Sequence, residues 1–126
     1  MKTLLFVAIG GAVGASGRYA VGMLATHFAP SGYPWGTFAV NVAGSFALGV
    51  LAALMALTWS PSPELRAFLV VGLLGGFTTF SAFSLDVVLL AERGRLGLAA
   101  IYLVGTVIMS VGGLFAGLRL TRMVLA

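Results

Sequence analysis

The chain has 126 residues, of which 60% are hydrophobic and only 8% are charged, and its mean hydropathy is +1.12. About 25% of the residues of a soluble domain are charged, so this composition indicates a membrane protein. The formal net charge is +4, but the seven Lys and Arg residues are scattered, which argues against a nucleic-acid-binding surface. The absence of cysteine excludes disulfides, thiolate metal sites and a cysteine nucleophile.

Four apolar segments account for most of the chain, and each is long enough to cross a bilayer. A transmembrane helix needs about 20 mostly apolar residues. We therefore expect helices at about residues 3–27, 36–58, 64–90 and 96–120. The connections between them contain proline, glycine or charged residues, as is typical of turns at a membrane surface. The sequence predicts one all-α domain, residues 1–126, that crosses the membrane four times.

The basic residues set the orientation of the chain only weakly. With the N-terminus in the cytoplasm, four basic residues would lie on the cytoplasmic side and two on the other side. The positive-inside rule depends on a clear asymmetry of Lys and Arg. The sequence therefore permits insertion in both orientations and an antiparallel dimer. The two sets are Lys2, Arg66, Arg119 and Arg122, and Arg93 and Arg95.

Polar or small residues recur at intervals of four along three of the predicted helices. On an α-helix this spacing places them along one face. Such a row can hydrogen-bond between packed helices, or it can line a polar pathway, and the spacing alone leaves both open. Four short helices enclose little volume, so a pathway would require a second copy of the chain. The rows are Thr37, Asn41 and Ser45; Tyr102, Thr106 and Ser110; and Gly10, Gly14, Arg18 and Gly22.

The third apolar segment carries two glycines and several hydroxyl groups at its centre, in the stretch from Gly75 to Ser84. Each glycine weakens a helix by about 1 kcal/mol relative to alanine. We therefore expect this helix to break near Gly75–Thr79. Carbonyl groups freed at membrane depth need partners. The partners could be the hydroxyls of a mild kink, or a cation bound by the carbonyls themselves.

Phe80 and Phe83 are three residues apart, so they share a face if the helix resumes after the break. Ordinary apolar packing would explain such a pair. Alternatively, the positive edges of the rings could flank an anion without binding it too tightly, because neutral donors would replace a ring of Lys or Arg. Asn41, Ser110 and the hydroxyls after the break would be those donors.

The run Gly75–Ser81 resembles the hallmark of the Fluc/CrcB family of fluoride channels. Segments 10–19 and 36–45 resemble the same family, as does the row that begins at Tyr102, so the similarity covers all four helices in order. The resemblance implies a fluoride-selective channel that exports cytoplasmic fluoride passively. It also implies an antiparallel homodimer with dual topology. This dimer would contact membrane lipid in the plasma membrane, which is the inner membrane in bacteria.

The resemblance also implies a role for individual residues. Fluoride would pass through two pores lined by both subunits, and Arg18 would draw anions into a vestibule. A structural sodium ion at the dimer interface would be held by the backbone carbonyls of Gly75 and Thr78. Ala82 departs from the family pattern, in which threonine is expected. The implied pore residues are Phe80, Phe83, Asn41, Ser81, Thr37, Tyr102 and Ser110.

Other function classes fit the sequence less well. A small dual-topology multidrug or cation exporter also has four helices, but it couples transport to a carboxylate in its first helix. The first helix here carries Arg18 instead, and the only acid within an apolar run is Asp86, near the end of the run from Leu65 to Leu90. An enzyme is disfavoured because no carboxylate pair or Ser/His/Asp arrangement accompanies the single His27. A purely structural subunit would explain the glycine row but not the hydroxyl-rich break.

Overall fold

The computed structural model describes residues 1–29 and 32–125, and most of these residues are helical. Four helical spans are long and apolar enough to cross a membrane, which confirms the predicted all-α membrane architecture. Helices α1 (Lys2–Phe28), α2 (Trp35–Leu57) and α6 (Leu96–Leu125) are continuous. The third span, Pro63–Glu92, is divided. It consists of α3 (Pro63–Arg66), a π-helix (Ala67–Leu74), α4 (Gly75–Phe77) and α5 (Ser81–Glu92).

The ends of the third span show how local sequence sets the helix boundaries. At its start, the Ser62 side chain accepts a hydrogen bond from the backbone N–H of Leu65, Pro63 occupies the first turn and Glu64 lies near the positive helix end. At its end, Gly94 has a φ of 78°, the left-handed conformation that commonly terminates a helix. The chain therefore reverses at once into α6.

Glycine contacts bring the helix backbones close together. A Cβ added to Gly10 would lie 2.5 Å from the Phe68 carbonyl oxygen, and one added to Gly72 would lie 2.7 Å from the Val7 carbonyl oxygen. Gly49 and Gly117 permit the same close approach between α2 and α6. Small residues therefore allow α1 to pack closely against the third span at Gly10, and α2 to pack closely against α6 at Gly49 and Gly117.

The third span breaks at residues 78–80, which overlap the end of the predicted region Gly75–Thr79. Thr78 has an extended backbone, with φ −86° and ψ 163°, and the helix resumes at Ser81. Gly75 and Gly76 themselves remain helical. A Cβ on Gly76 would lie 2.9 Å from the Gly11 carbonyl oxygen, so this glycine serves close packing against α1. The π-helix immediately before the glycine pair is a rare conformation that occurs frequently at functional sites.

Candidate functional site

Two cavities flank the helix break. The larger has a volume of about 810 Å³, and Arg18 and Thr37 are among the residues that line it. The smaller has a volume of about 360 Å³, and its walls include Asn41 and Ser110. Thr79 lines both cavities. One residue of the break, Thr79, is therefore common to the walls of both cavities.

The predicted site residues distribute unequally between these cavities. Arg18 and Thr37 lie in the wall of the larger cavity. Ser81 is exposed and Tyr102 is fully buried, and neither is among the residues that line the two cavities. The smaller cavity brings together the remaining six, which are Asn41, Gly75, Thr78, Phe80, Phe83 and Ser110.

Asn41 holds the backbone of the break. Its Nδ2 atom donates to the Thr79 carbonyl oxygen at 2.9 Å, and its Oδ1 atom accepts from the Thr79 backbone N–H at 2.8 Å. Both backbone groups of Thr79 are therefore satisfied at a point where no helix supplies a partner. Sequence reasoning assigned Asn41 to a pore wall as a donor. Because a side-chain amide has two N–H donors and this pair uses one, the second is left at the cavity wall.

Arg18 stabilises the end of the helix that precedes the break. Its Nε atom donates to the Gly76 carbonyl oxygen at 3.0 Å. The last carbonyls of a helix carry partial negative charge, so a guanidinium group placed there is favourable. Arginine has five N–H donors, and this contact occupies one. Arg18 can therefore brace the helix end and still present positive charge to the larger cavity.

The hydroxyl groups around the break have different roles. Thr78 Oγ1 donates to the Leu74 carbonyl and Ser84 Oγ donates to the Phe80 carbonyl, both at 2.9 Å, so neither proton is free for a ligand. Thr79 Oγ1 instead accepts from the Ala82 backbone N–H at 3.1 Å, as an N-cap does. These roles could not be predicted from the sequence, because all of these hydroxyls lie in one short stretch among similar residues.

Ser110 presents an unpaired hydroxyl to the smaller cavity. Its Oγ atom is buried, and no group in residues 1–29 or 32–125 is hydrogen-bonded to it. A buried polar atom without a partner is costly, especially at membrane depth. The hydroxyl can therefore donate a hydrogen bond to an occupant of the cavity.

Two backbone carbonyls at the break also lack partners. Within the described part of the chain, the carbonyl oxygens of Gly75 and Thr78 accept no hydrogen bond. The same residues contain no group of three or more His, Cys, Asp or Glu side chains that could hold a metal ion. A cation at the break would therefore be held by backbone oxygen, which hard cations accept as a ligand.

The rings of Phe80 and Phe83 lie together, as their spacing predicts, with centroids 5.8 Å apart and planes at 54°. Their surroundings differ sharply. Phe83 is 4% exposed and packs against the Tyr102 ring at 5.1 Å, whereas Phe80 is 77% exposed. Packing within one chain therefore explains the position of Phe83 but leaves Phe80 uncovered.

Sequence reasoning missed a partly buried hydrogen bond behind Phe83. The Tyr102 hydroxyl donates to Asp86 Oδ2 at 2.9 Å, which joins α5 to α6. Helical spacing could not reveal that Tyr102 pairs with Asp86, because it does not say which helices are neighbours.

The Tyr33 ring packs against Tyr102 with centroids 5.3 Å apart. Burial raises the pKa of the Tyr33 hydroxyl, and the nearby Thr106 hydroxyl opposes this shift.

Comparisons with known proteins agree on one family. A family model described as "CrcB-like protein, Camphor Resistance (CrcB)" matches residues 5–118. A Rhodospirillum centenum protein named "Fluoride-specific ion channel FluC" is 60% identical over 126 residues, which is 100% of both chains. A protein of the same name from Novosphingobium aromaticivorans is 53% identical over 124 residues, 97% of this chain and 98% of the relative. Another, from Agrobacterium fabrum, is 51% identical over 122 residues, again 97% and 98%.

Proposed function

Because the chain belongs to the CrcB-like protein family, we propose that it is a fluoride-selective channel through which fluoride leaves the cytoplasm passively. Relatives that match the whole chain are named fluoride-specific ion channels. The observation that supports this function most directly is the smaller cavity. It combines aromatic rings with an unpaired Ser110 hydroxyl and a spare amide N–H of Asn41.

These groups suit a small anion that must enter and leave. The Ser110 hydroxyl and the Asn41 amide donate hydrogen bonds, and the edges of the Phe80 and Phe83 rings are positive. No charged side chain is among the residues that line the smaller cavity, so an anion would not be held too tightly. Arg18, in the wall of the larger cavity, would raise the local concentration of anions before they reach the break.

We also propose that the channel is an antiparallel homodimer whose pores are lined by both copies. In one chain the smaller cavity is open, and apolar residues at its edge are exposed, including Phe80 (77%) and Val111 (66%). A second copy would cover them. The weak asymmetry of basic residues is compatible with insertion of the two copies in opposite orientations.

A structural sodium ion fits the break in such a dimer. The Gly75 and Thr78 carbonyls have no hydrogen-bond donor within the described chain, and two copies would supply four such oxygens. Bound sodium would provide the positive charge that these oxygens need away from water. The purified dimer should therefore unfold at a higher temperature in sodium chloride than in choline chloride. Equal unfolding temperatures would contradict the sodium site and leave the anion pathway standing.

The function is tested by fluoride release from liposomes loaded with potassium fluoride. After a potassium ionophore is added, we expect rapid fluoride release, and little chloride release from matched chloride-loaded liposomes. Equal chloride release, or release of neither ion, would refute the proposed function. Phe80→Ile and Phe83→Ile should each lower fluoride release by about tenfold if ring edges contact the ion. Phe115→Ile is the matched control, because Phe115 is 59% exposed on α6 and lines neither cavity.

An exporter driven by a carboxylate finds less support. Neither cavity is lined by an Asp or Glu among the residues that the structure describes. Asp86, the acid that such a mechanism would need, accepts a hydrogen bond from Tyr102 outside both walls. A coupling carboxylate would have to face the transported ion.

A further inference from the structure

Thr79 occupies a position that no other described residue shares, because it lines both the larger and the smaller cavity. Any ion that moves from the cavity of Arg18 to the cavity of Phe80 and Phe83 would pass beside it. The family resemblance assigns no site role to Thr79. The resemblance implies that its neighbour Thr78 binds a cation and that Ser81 lines the pore.

The backbone of Thr79 is fixed while the proton of its side chain is not. Asn41 bonds to both the N–H and the carbonyl of Thr79, at 2.8 and 2.9 Å. The hydroxyl oxygen accepts from the Ala82 N–H at 3.1 Å. Among the described residues, the hydroxyl has one further hydrogen-bond contact, with Ser81 Oγ at 3.4 Å, in which either oxygen can donate, and Ser81 is exposed. A hydroxyl group can accept and donate at the same time, so this O–H can turn between Ser81 and an ion.

Thr79 differs from the other threonines with assigned bonds. The hydroxyls of Thr26, Thr58 and Thr78 each donate to a carbonyl one helical turn earlier, which occupies their protons. The hydroxyl of Thr79 is oriented instead by the N–H of Ala82, which directs a lone pair toward the helix and leaves the proton outside it.

We propose that Thr79 is the transfer point between the two cavities and that its hydroxyl donates a hydrogen bond to the permeating anion. This inference rests on the proposed function and makes it more specific. The anion leaves the positive environment of Arg18 before it reaches the rings of Phe80 and Phe83. At that step the Thr79 hydroxyl replaces part of its hydration shell, and the pair with Asn41 keeps the donor in place.

The test is fluoride release from liposomes that contain wild type, Thr79→Val, Thr79→Ser or Thr79→Asp. Valine has nearly the shape of threonine but no hydroxyl, so we expect release to fall by about tenfold or more, the usual cost of one hydrogen bond to a charged group. Serine keeps the hydroxyl, and its release should stay within about twofold of wild type. Thr58→Val is the matched control, because Thr58 lies at the exposed end of α2 and lines neither cavity.

Thr79→Asp separates hydrogen-bond donation from helix capping. Aspartate is a good N-cap, so it would accept from Ala82 as threonine does. At neutral pH it cannot donate, and its charge repels an anion. The inference predicts that this variant forms the same dimer in size-exclusion chromatography but loses fluoride release by about tenfold or more.

The possible results are distinguishable. If Thr79→Asp or a well-assembled Thr79→Val releases fluoride as fast as wild type, Thr79 only caps α5 and the inference is overturned. The proposed function would then still hold. If wild type itself releases no fluoride, the proposed function fails first. Slow release by Thr79→Ser, which keeps both the cap and the donor, would also overturn the inference.

Discussion

The pair between Asn41 and Thr79 gives the sharpest prediction for the helix break. Asn41→Leu removes both hydrogen bonds, at 2.9 and 2.8 Å, and replaces the amide with an apolar group of similar size. Asn41→Asp keeps an oxygen that can accept from the Thr79 N–H, but it removes the donor to the Thr79 carbonyl. The two variants therefore separate the two bonds.

The expected cost follows from the burial of the pair. Asn41 is 8% exposed, so water cannot readily replace its contacts. An intramolecular hydrogen bond contributes about 1 kcal/mol, and a buried group left without its partner costs about 1–3 kcal/mol. With two groups of Thr79 affected, Asn41→Leu should lower the free energy of unfolding by about 2–6 kcal/mol.

Hydrogen exchange at the Thr79 amide measures the effect at one atom. In Asn41→Leu we expect this amide to exchange at least about thirtyfold faster than in wild type, which corresponds to about 2 kcal/mol. In Asn41→Asp the same amide should stay protected, although the protein is destabilised. Thr58→Val, at the residue that follows the last turn of the helix carrying Asn41, should leave the amide unaffected. If Thr79 exchanged equally in all four proteins, the idea that Asn41 holds the break would be wrong.

Three further predictions follow from the packing and charges. Arg18→Met should lower the free energy of unfolding by about 2 kcal/mol, because the Gly76 carbonyl loses a charged donor. An unchanged thermal midpoint would contradict the idea that Arg18 stabilises this helix end. Gly14→Ala should destabilise the protein by about 1–3 kcal/mol, since the new Cβ would meet the Leu73 carbonyl. Gly11→Ala, whose Cβ meets nothing within 4 Å, should not do so, and equal effects would refute this packing. Burial raises the Tyr33 pKa above its ordinary value of about 10. The unfolded chain therefore ionises first, and stability should be complete below pH of about 10 and decline above it. Tyr33→Phe should reduce this loss of stability in thermal unfolding measured between pH 8 and 11. An unaltered dependence on pH would contradict the role of Tyr33.

The sequence could predict the membrane spans because the bilayer imposes a simple constraint. A span must be apolar over about 20 residues, and such runs are visible without any knowledge of neighbours. The region of the break was predictable for a related reason. Adjacent glycines and clustered hydroxyls are unfavourable inside a helix, so their place in an apolar run required an explanation.

The exact residues of the break were not predictable from the glycines alone. Gly75 and Gly76 remain helical. Gly76 instead allows α1 to approach closely, because it has no side chain in the space between the two helices. The extended residue is Thr78, and because Thr79 beside it has the same preference for extended backbone, residue type alone does not single out Thr78. The π-helix that precedes the glycine pair packs against α1. No motif in its apolar sequence predicts this conformation.

Long-range hydrogen bonds were also outside the reach of sequence reasoning. Asn41 and Thr79 are 38 residues apart, and Arg18 and Gly76 are 58 residues apart. The period of each helix shows which face is polar, but it does not show which helix that face meets. This is why Asn41 and Arg18 were expected to act on anions directly, whereas the structure shows that both also hold the broken helix in place.

The central claim is that fluoride crosses the membrane beside this break, and the reversal potential of the current across a planar bilayer tests it most directly. With a tenfold gradient of potassium fluoride and no other permeant anion, we expect the current to reverse near the fluoride equilibrium potential, about 59 mV. Replacing fluoride with chloride on both sides should abolish the current. A reversal potential of the opposite sign, set by potassium, or an equal current carried by chloride, would contradict a fluoride-selective pathway.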